Sequence, residues 1–221
     1  MQIAIDGPAS AGKSTIAKII AKKLDYIYTD TGAMYRAATW LAQKEQVDYN
    51  AGATIVQLLQ KNPISFQIHS DQQYIYVGDR DISTEIRMPQ ISNNVSQVAA
   101  LPEVREFLVS QQQQIAADNN VVMDGRDIGT TVLPAADVKI FLIASVQERA
   151  HRRYLENLTR NIQTPLAVLE KEISLRDYKD SHRSISPLKK AVDAIEVDTT
   201  SLSIDQVVQK ILKIINNKIN K

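Results

Sequence analysis

The stretch 3-IAIDGPASAGKSTIAKII-20 constrains this chain more than any other: a short apolar run, a loop of small residues, a lysine, two hydroxyls and then a helical pattern. Gln2–Asp6 reads as a buried strand, and from Lys13 onward Ile16, Ile19, Ile20 and Leu24 recur at helical spacing. Gly7-Pro8-Ala9-Ser10-Ala11-Gly12-Lys13-Ser14 fits the spacing G-x-x-x-x-G-K-S and sits where that spacing has mechanical meaning, between a strand and a helix. Such a loop turns its backbone N–H groups inward around a phosphate, and the helix N-terminus adds its partial positive charge. Lys13 would then span the β- and γ-phosphates of a nucleotide, and the Ser14 hydroxyl could ligate Mg²⁺. A tight turn could match this spacing by chance, but the flanking strand and amphipathic helix favour the phosphate reading.

The 221 residues allow one α/β domain with a well-buried core and an inserted lobe. A formal charge of +1 supplies no global field for nucleic acid or a membrane surface, so any anion site must be local. The chain has no cysteine, which removes disulfides, thiolate catalysis and Cys-based metal sites. His69, His151 and His182 lie far apart and read as surface residues. The opening strand occupies the place of a signal peptide, and no apolar run approaches the roughly 20 residues of a membrane span. The expected protein is soluble and cytoplasmic, with monomer as the default state.

Strands alternate with helices along the chain. Asp30-Thr31-Gly32 opens a helix to about residue 42 with Thr31 as N-cap, and a second helix is expected near 53–60. Between Pro63 and Ile82, ISFQI and YIYV alternate on either side of Ser70-Asp71-Gln72-Gln73, the mark of a small antiparallel hairpin. Helices at about 89–99 and 102–117 lead to strands at 121–124 and 138–144. The glutamines at 111–114 read as a solvated helix face. Ser145-x-x-Glu148 is a capping box, Thr164-Pro165 caps a helix to about Asp180, and 195–198 is a last strand. Ser203-x-x-Gln206 caps a terminal helix with Ile204, Val207, Val208, Ile211 and Ile215 in one stripe. The fold class is therefore α/β: a parallel sheet with helices on both faces, interrupted by the hairpin lobe.

Four more motifs gather charge. In 30-DTGAMYR-36, Arg36 lies one and a half turns into a helix and leans back toward an anion near Thr31. In 121-VVMDGRDIG-129, a buried strand ends in Asp124, placed like a ligand of Mg²⁺-bound water, and the turn adds Arg126 and Asp127 at the sheet's carboxyl edge. In 148-ERAHRRYLEN-157, Arg149, Arg152 and Arg153 share a helix face, a crowding that an anion or an acidic partner would relieve. In 176-RDYKDSHR-183, Arg176, Asp180 and Arg183 recur at i, i+4 and i+7, which an exposed salt-bridged helix explains equally well. Of the seven glycines, Gly7, Gly12, Gly32, Gly125 and Gly129 fall inside these motifs, where backbone must turn sharply or approach a ligand. The arginines exceed what one triphosphate needs and suggest two phosphorylated ligands facing each other. Because a phosphomonoester is largely dianionic at neutral pH, transfer to it needs no general base.

At these residues the sequence resembles the bacterial cytidylate kinases over essentially its whole length. The carrying motifs are IDGPASAGKST, DTGAMYR, EIR followed by NNVSQVAALPEVR, DGRDIGT, KIFLIAS with ERAHRR, and RDYKDSHRSISPL, in that order. The resemblance implies a P-loop kinase core at about 1–36, 89–147 and 181–221, a monophosphate-binding insertion at about 37–88 and a short helical lid at about 148–165. It implies ATP-dependent, Mg²⁺-assisted conversion of CMP and dCMP to the diphosphates. ATP would meet Gly7, Pro8, Ala9, Ser10, Ala11, Gly12, Lys13, Ser14 and Thr15 together with Arg149, Arg152 and Arg153 of the lid. Thr31, Arg36, Arg126 and Arg183 would hold the acceptor phosphate; Ser96, Arg105 and Asp127 would read cytosine; Arg176 and Asp180 would meet the sugar. Lys13, Arg126 and Arg153 would be the catalytic charges, with Ser14 and, through water, Asp124 on the metal. Ser10 stands where relatives often have glycine, and Thr31 where many have serine. Rival readings are a small kinase for UMP, AMP, shikimate or a coenzyme precursor, a GTP switch, and a scaffold with a degenerate site. The switch would need N-K-x-D, whereas the similar run here, Asn217-Lys218-Ile219-Asn220, lacks the aspartate.

Overall fold

The computed structural model describes residues 1–70 and 72–219. The chain divides into two compact units, one formed by Met1–Asp30 with Gln113–Lys221 and the other by Thr31–Gln112.

The first unit is built on a five-stranded sheet. In chain order its elements are β1 (Gln2–Asp6), α1 (Lys13–Leu24) and β2 (Ile27–Asp30), and the other unit's elements follow from α2 to α5. Beyond these come β6 (Val121–Gly125), β7 (Val138–Ile143), α6 (Val146–Leu158), α7 (Leu166–His182), β8 (Ile195–Asp198) and α8 (Ile204–Ile219). The strand order is β2-β6-β1-β7-β8, with every pairing parallel. Parallel pairing puts all the carboxyl ends, and hence the loops after β1 and β6, on one rim. The register aligns Asp6 with Gly125 and Asp30 with Asp124. α1 and α8 bring Ile16, Ile20, Val207, Val208, Ile211 and Ile215 onto Ile3, Ile5, Val122, Ile140 and Leu142 of the sheet, forming one core. α6 and α7 share a satellite core of Ala150, Leu169 and Ile173.

The second unit holds α2 (Thr31–Lys44), α3 (Gly52–Lys61), the strands β3 (Ile64–His69), β4 (Gln72–Val77) and β5 (Arg80–Asp81), then α4 (Pro89–Val98) and most of α5 (Pro102–Ala117). β3, β4 and β5 form a separate antiparallel sheet in that order. Its core gathers Met34, Leu41, Ile55, Leu59, Ile82, Ile91, Val98 and Leu108. Trp40 is flanked by the Lys44 ammonium at 5.4 Å and the Arg80 guanidinium at 5.2 Å.

Several expectations need correction. β2 was not foreseen; it is a four-residue strand, exposed at Ile27, that runs straight into α2. α2 begins at Thr31 itself, so Thr31 is its first residue and not its cap. The expected hairpin turn is shorter, since Gln72 and Gln73 belong to β4, and Asp71 lies outside the described residues. Gln112 is fully buried rather than solvated, and its Nε2 donates to Met34 Sδ at 3.7 Å. Thr164 makes no cap, because α7 follows Pro165 with no side-chain hydrogen bond at that end. Ile204 is exposed, so the terminal stripe starts at Val207. The Ser203 box forms both ways: Gln206 N donates to Ser203 Oγ at 3.3 Å and Ser203 N to Gln206 Oε1 at 2.9 Å. The Ser145 box is half made, with Glu148 N donating to Ser145 Oγ while the Glu148 carboxylate accepts from Arg152. Asn220, the last residue of the weak switch-like run, lies outside the described residues.

Candidate active site

The loop from Gly7 to Gly12 is shaped by its neighbours. Gly7 has φ 147°, and a β-carbon there would sit 2.1 Å from the Leu142 carbonyl oxygen, so only glycine fits against β7. Ser10 takes the left-handed conformation at φ 60°, a region open to glycine, and its hydroxyl accepts from Arg153 Nε at 3.2 Å. Lys13 is buried at the start of α1 and folds back so that its ammonium donates to Pro8 O at 2.7 Å. Burial first, and then the Arg126 guanidinium, hold its pKa well below the usual lysine range, with Asp124 pulling the other way. A buried cation beside a second cation is relieved by an anion, which is what the loop's donors are shaped to hold.

Asp124 at the end of β6 accepts from Ser14 Oγ at 2.9 Å and from the Tyr28 hydroxyl at 2.7 Å. Burial and then the neighbouring Asp30 raise its pKa to about 6, against Lys13 and these two hydrogen bonds. Burial and Asp124 push the Tyr28 phenol up as well. Among the described residues no cluster of three or more acidic or histidine side chains could hold a metal alone. One hydroxyl beside one carboxylate suits Mg²⁺ that keeps waters and takes phosphate oxygens, and positive charge there would relieve the Asp124–Asp30 repulsion.

The turn after β6 carries Arg126 and Asp127. Arg126 Nε donates to Asp180 Oδ2 at 3.0 Å, and Arg176 Nε lies 3.9 Å from the same oxygen. Arg183 Nη2 donates to Asp127 Oδ1 at 3.3 Å and its Nε to Ser186 O at 2.6 Å. Asp127 and Asp180 are both 4% exposed, so the 176–183 stretch is not a solvated salt-bridged face. Nor does Arg183 continue the helix: α7 ends at His182, and Arg183 has extended backbone that swings its side chain to Asp127. The fold thus brings Lys13, Ser14, Asp124, Arg126, Asp127, Arg176, Asp180 and Arg183 into one network of the first unit.

The α6 arginines each have an acidic partner: Arg149 with Asp177 at 2.7 Å, Arg152 with Glu148 at 2.8 Å and Arg153 with Glu156 at 3.7 Å. Arg149 is buried and also donates to Ala144 O and Ala9 O, clasping the loop from behind. Arg152 reaches the Thr199 hydroxyl at 3.0 Å and its carbonyl at 2.7 Å. Arg153 bonds a loop side chain, Ser10.

Thr31, Arg36, Ser96 and Arg105 belong to the second unit. Thr31 is buried at the start of α2, Ser96 is half-buried on α4, and Arg105 is buried on α5 with its guanidinium 5.5 Å from the Tyr35 ring. Sequence reasoning missed Tyr28, Asp177 and Asp6, whose carboxylate takes two backbone N–H groups of the 125–129 turn. For Tyr28 a signal existed in 26-YIYT-29, an aromatic and β-branched run.

The family model for cytidylate kinase matches residues 3–217. The chain belongs to the cytidylate kinase family. It is 58% identical over 218 residues to a cytidylate kinase of Lactobacillus gasseri, covering 99% of this chain and 95% of that one. A cytidylate kinase of Leuconostoc mesenteroides is 58% identical over 219 residues, covering 99% and 98%. One from Streptococcus pneumoniae is 58% identical over 212 residues, covering 96% and 95%. Membership in the cytidylate kinase family agrees with the parallel sheet, the loop after β1 and the separate antiparallel sheet. Among the described residues no helix is long and apolar enough to cross a membrane.

Proposed function

We propose that the chain transfers the γ-phosphoryl group of ATP to CMP and dCMP, in line and with Mg²⁺, giving ADP and the cytidine diphosphates. The observation that carries the reading is the joining, on one sheet rim of a cytidylate kinase family member, of buried Lys13 with Arg126, whose guanidinium itself lowers the lysine pKa. A buried lysine whose charge is further disfavoured by a nearby guanidinium calls for a highly charged anion beside it.

Residues Gly7–Thr15 cradle the ATP phosphates with backbone N–H groups, and Lys13 leaves the Pro8 carbonyl for a phosphate oxygen. Ser14 and, through water, Asp124 would hold Mg²⁺, which supplies charge neutralisation at the phosphates when bound. Arg149 and Arg152 keep the loop and the chain around Thr199 in place, while Arg153, bonded to Ser10 of the loop and paired with Glu156, turns to the transferring group. Arg126 and Arg183 hold the acceptor phosphate, and Arg176 with Asp180 meets the sugar. Asp127 accepts from the cytosine amino group, a bond that uracil cannot offer. Thr31, Arg36, Ser96 and Arg105 are proposed, on the family resemblance alone, as further contacts to CMP. The acceptor arrives as a dianion, so these residues align and neutralise and need not remove a proton. Segment 148–165 acts as a lid that excludes water, 37–88 as the monophosphate insertion, and the enzyme works as a cytoplasmic monomer.

An ADP-release assay over CMP, dCMP, UMP, AMP and shikimate tests the reading. Preference for the cytidine nucleotides is expected; equal turnover of UMP and CMP overturns the role of Asp127, and turnover of shikimate alone overturns the function.

A further inference from the structure

We propose that Asp6 is a positioning residue for the acceptor: from the end of β1 its carboxylate clamps the backbone at Ile128 and Gly129, and so sets the direction of Arg126 and Asp127. The inference rests on the acceptor reading given above. Asp6 is 4% exposed and immediately precedes Gly7 of the phosphate loop. Its Oδ1 accepts from Ile128 N at 2.8 Å and its Oδ2 from Gly129 N at 2.7 Å. These amides open the wide helical turn Ile128–Val132, and the first N–H groups of a helical turn have no partner within it. On the other side, the Asp127 carbonyl accepts from Thr131 N at 2.8 Å and Val132 N at 3.2 Å. The peptide that follows Asp127 is therefore held from both ends, and one of the holds comes from the strand that leads into the phosphate loop.

Two features mark the clamp as more than packing. A β-carbon at Gly129 would lie 3.1 Å from Lys139 Cδ, tighter than most real contacts, and 3.4 Å from Asp6 Oδ2, so a side chain there would crowd the turn from the Lys139 side and press on the clamp. A carboxylate is also needed in full: an asparagine would satisfy one amide and turn its own NH₂ donors on the other. The charged side chains acting on Asp6 are Asp127 and Lys13, one from each of the two loops it joins.

The test uses the full chain with Asp6→Asn, Gly129→Ala and the double variant. In Asp6→Asn the KM for CMP should rise by about tenfold, the value of one lost charge-assisted hydrogen bond, while the KM for ATP stays within about threefold. The preference for CMP over UMP should fall with it. Gly129→Ala should act in the same direction, and the double variant should resemble the worse single one, since both open the same clamp. Amide hydrogen exchange needs no substrate: Asp6→Asn should speed exchange at Ile128 and Gly129 and spare the core of β6. Unchanged exchange at both amides, equal rises in the two KM values, or additive effects in the double variant would each overturn the proposal. If the unmodified protein proves not to use CMP, the functional reading falls, and the exchange experiment alone decides whether Asp6 clamps the turn.

Discussion

The loop after β1 and the turn after β6 sit on adjacent parallel strands and both present positive charge, yet they are built on opposite principles. In the first loop the cation, Lys13, is buried and donates to the neutral Pro8 carbonyl, and its pKa is pulled down. In the second the guanidinium of Arg126 is already balanced by Asp180, and Arg183 by Asp127. An anion at the first site relieves a cost present in the folded protein, whereas an anion at the second must share guanidinium groups with resident carboxylates. On the proposed assignment the donor side is primed by unfavourable burial and the acceptor side by pre-formed pairing, which favours selectivity over raw affinity.

The sharpest way to break this contrast is at Lys13. Lys13→Ala should lower kcat by at least about 10²–10³-fold. Because the folded pKa of Lys13 lies below its unfolded value, charging it at pH 7 works against folding, so thermal unfolding should show a Tm equal to or above that of the parent. A large drop in Tm would mean that Lys13 supports the fold. Asp180→Asn should do the reverse on the acceptor side, costing about 3 kcal/mol in denaturant unfolding, since Arg126 and Arg176 lose their shared buried carboxylate.

Asp6 gives a pH test between the two loops. Burial raises its folded pKa to about 6 from 3.8, so its protonated form favours the fold. Its contribution is fully present below about pH 4 and is lost as pH rises through about 6, a change of about 3 kcal/mol at most. Denaturant unfolding from pH 4 to 7 should show a shallower decline in Asp6→Asn than in the parent. Asp127→Ala should narrow the CMP-to-UMP preference by about tenfold, read as the ratio of kcat/KM values. The smallest effect is expected at the start of α8: Ser203→Ala opens its capping box and should cost about 1 kcal/mol without changing either KM.

What could be read from the sequence was what is local. β1 and β8 have the expected bounds, β1 because an apolar run between turn residues is a complete signal, and the two partners of the Ser203 box lie only three positions apart. β2 escaped because it is short, half-exposed and passes into α2 without a turn residue. Gln112 escaped because a polar helix face looks solvated until a neighbouring methionine covers it. The phosphate loop could be recognised in full, since its function lies in eight consecutive positions. The support around it could not: Asp6 meets Gly129 across 123 positions and Arg149 meets Ala9 across 140, and no periodicity records such pairs. The swing of Arg183 depends on where α7 stops, which the pattern placed at about Asp180 and the fold at His182.

The approach of Gly7 to the Leu142 carbonyl reaches beyond the loop in which it was described. That oxygen belongs to Leu142, one residue from the carboxyl end of β7, so a side chain at position 7 could be housed only by prising β1 and β7 apart at that rim. A substitution there would be felt as a seam opening from the rim between β1 and β7, and the fault would appear in folding yield before any assay of nucleotide chemistry could register it.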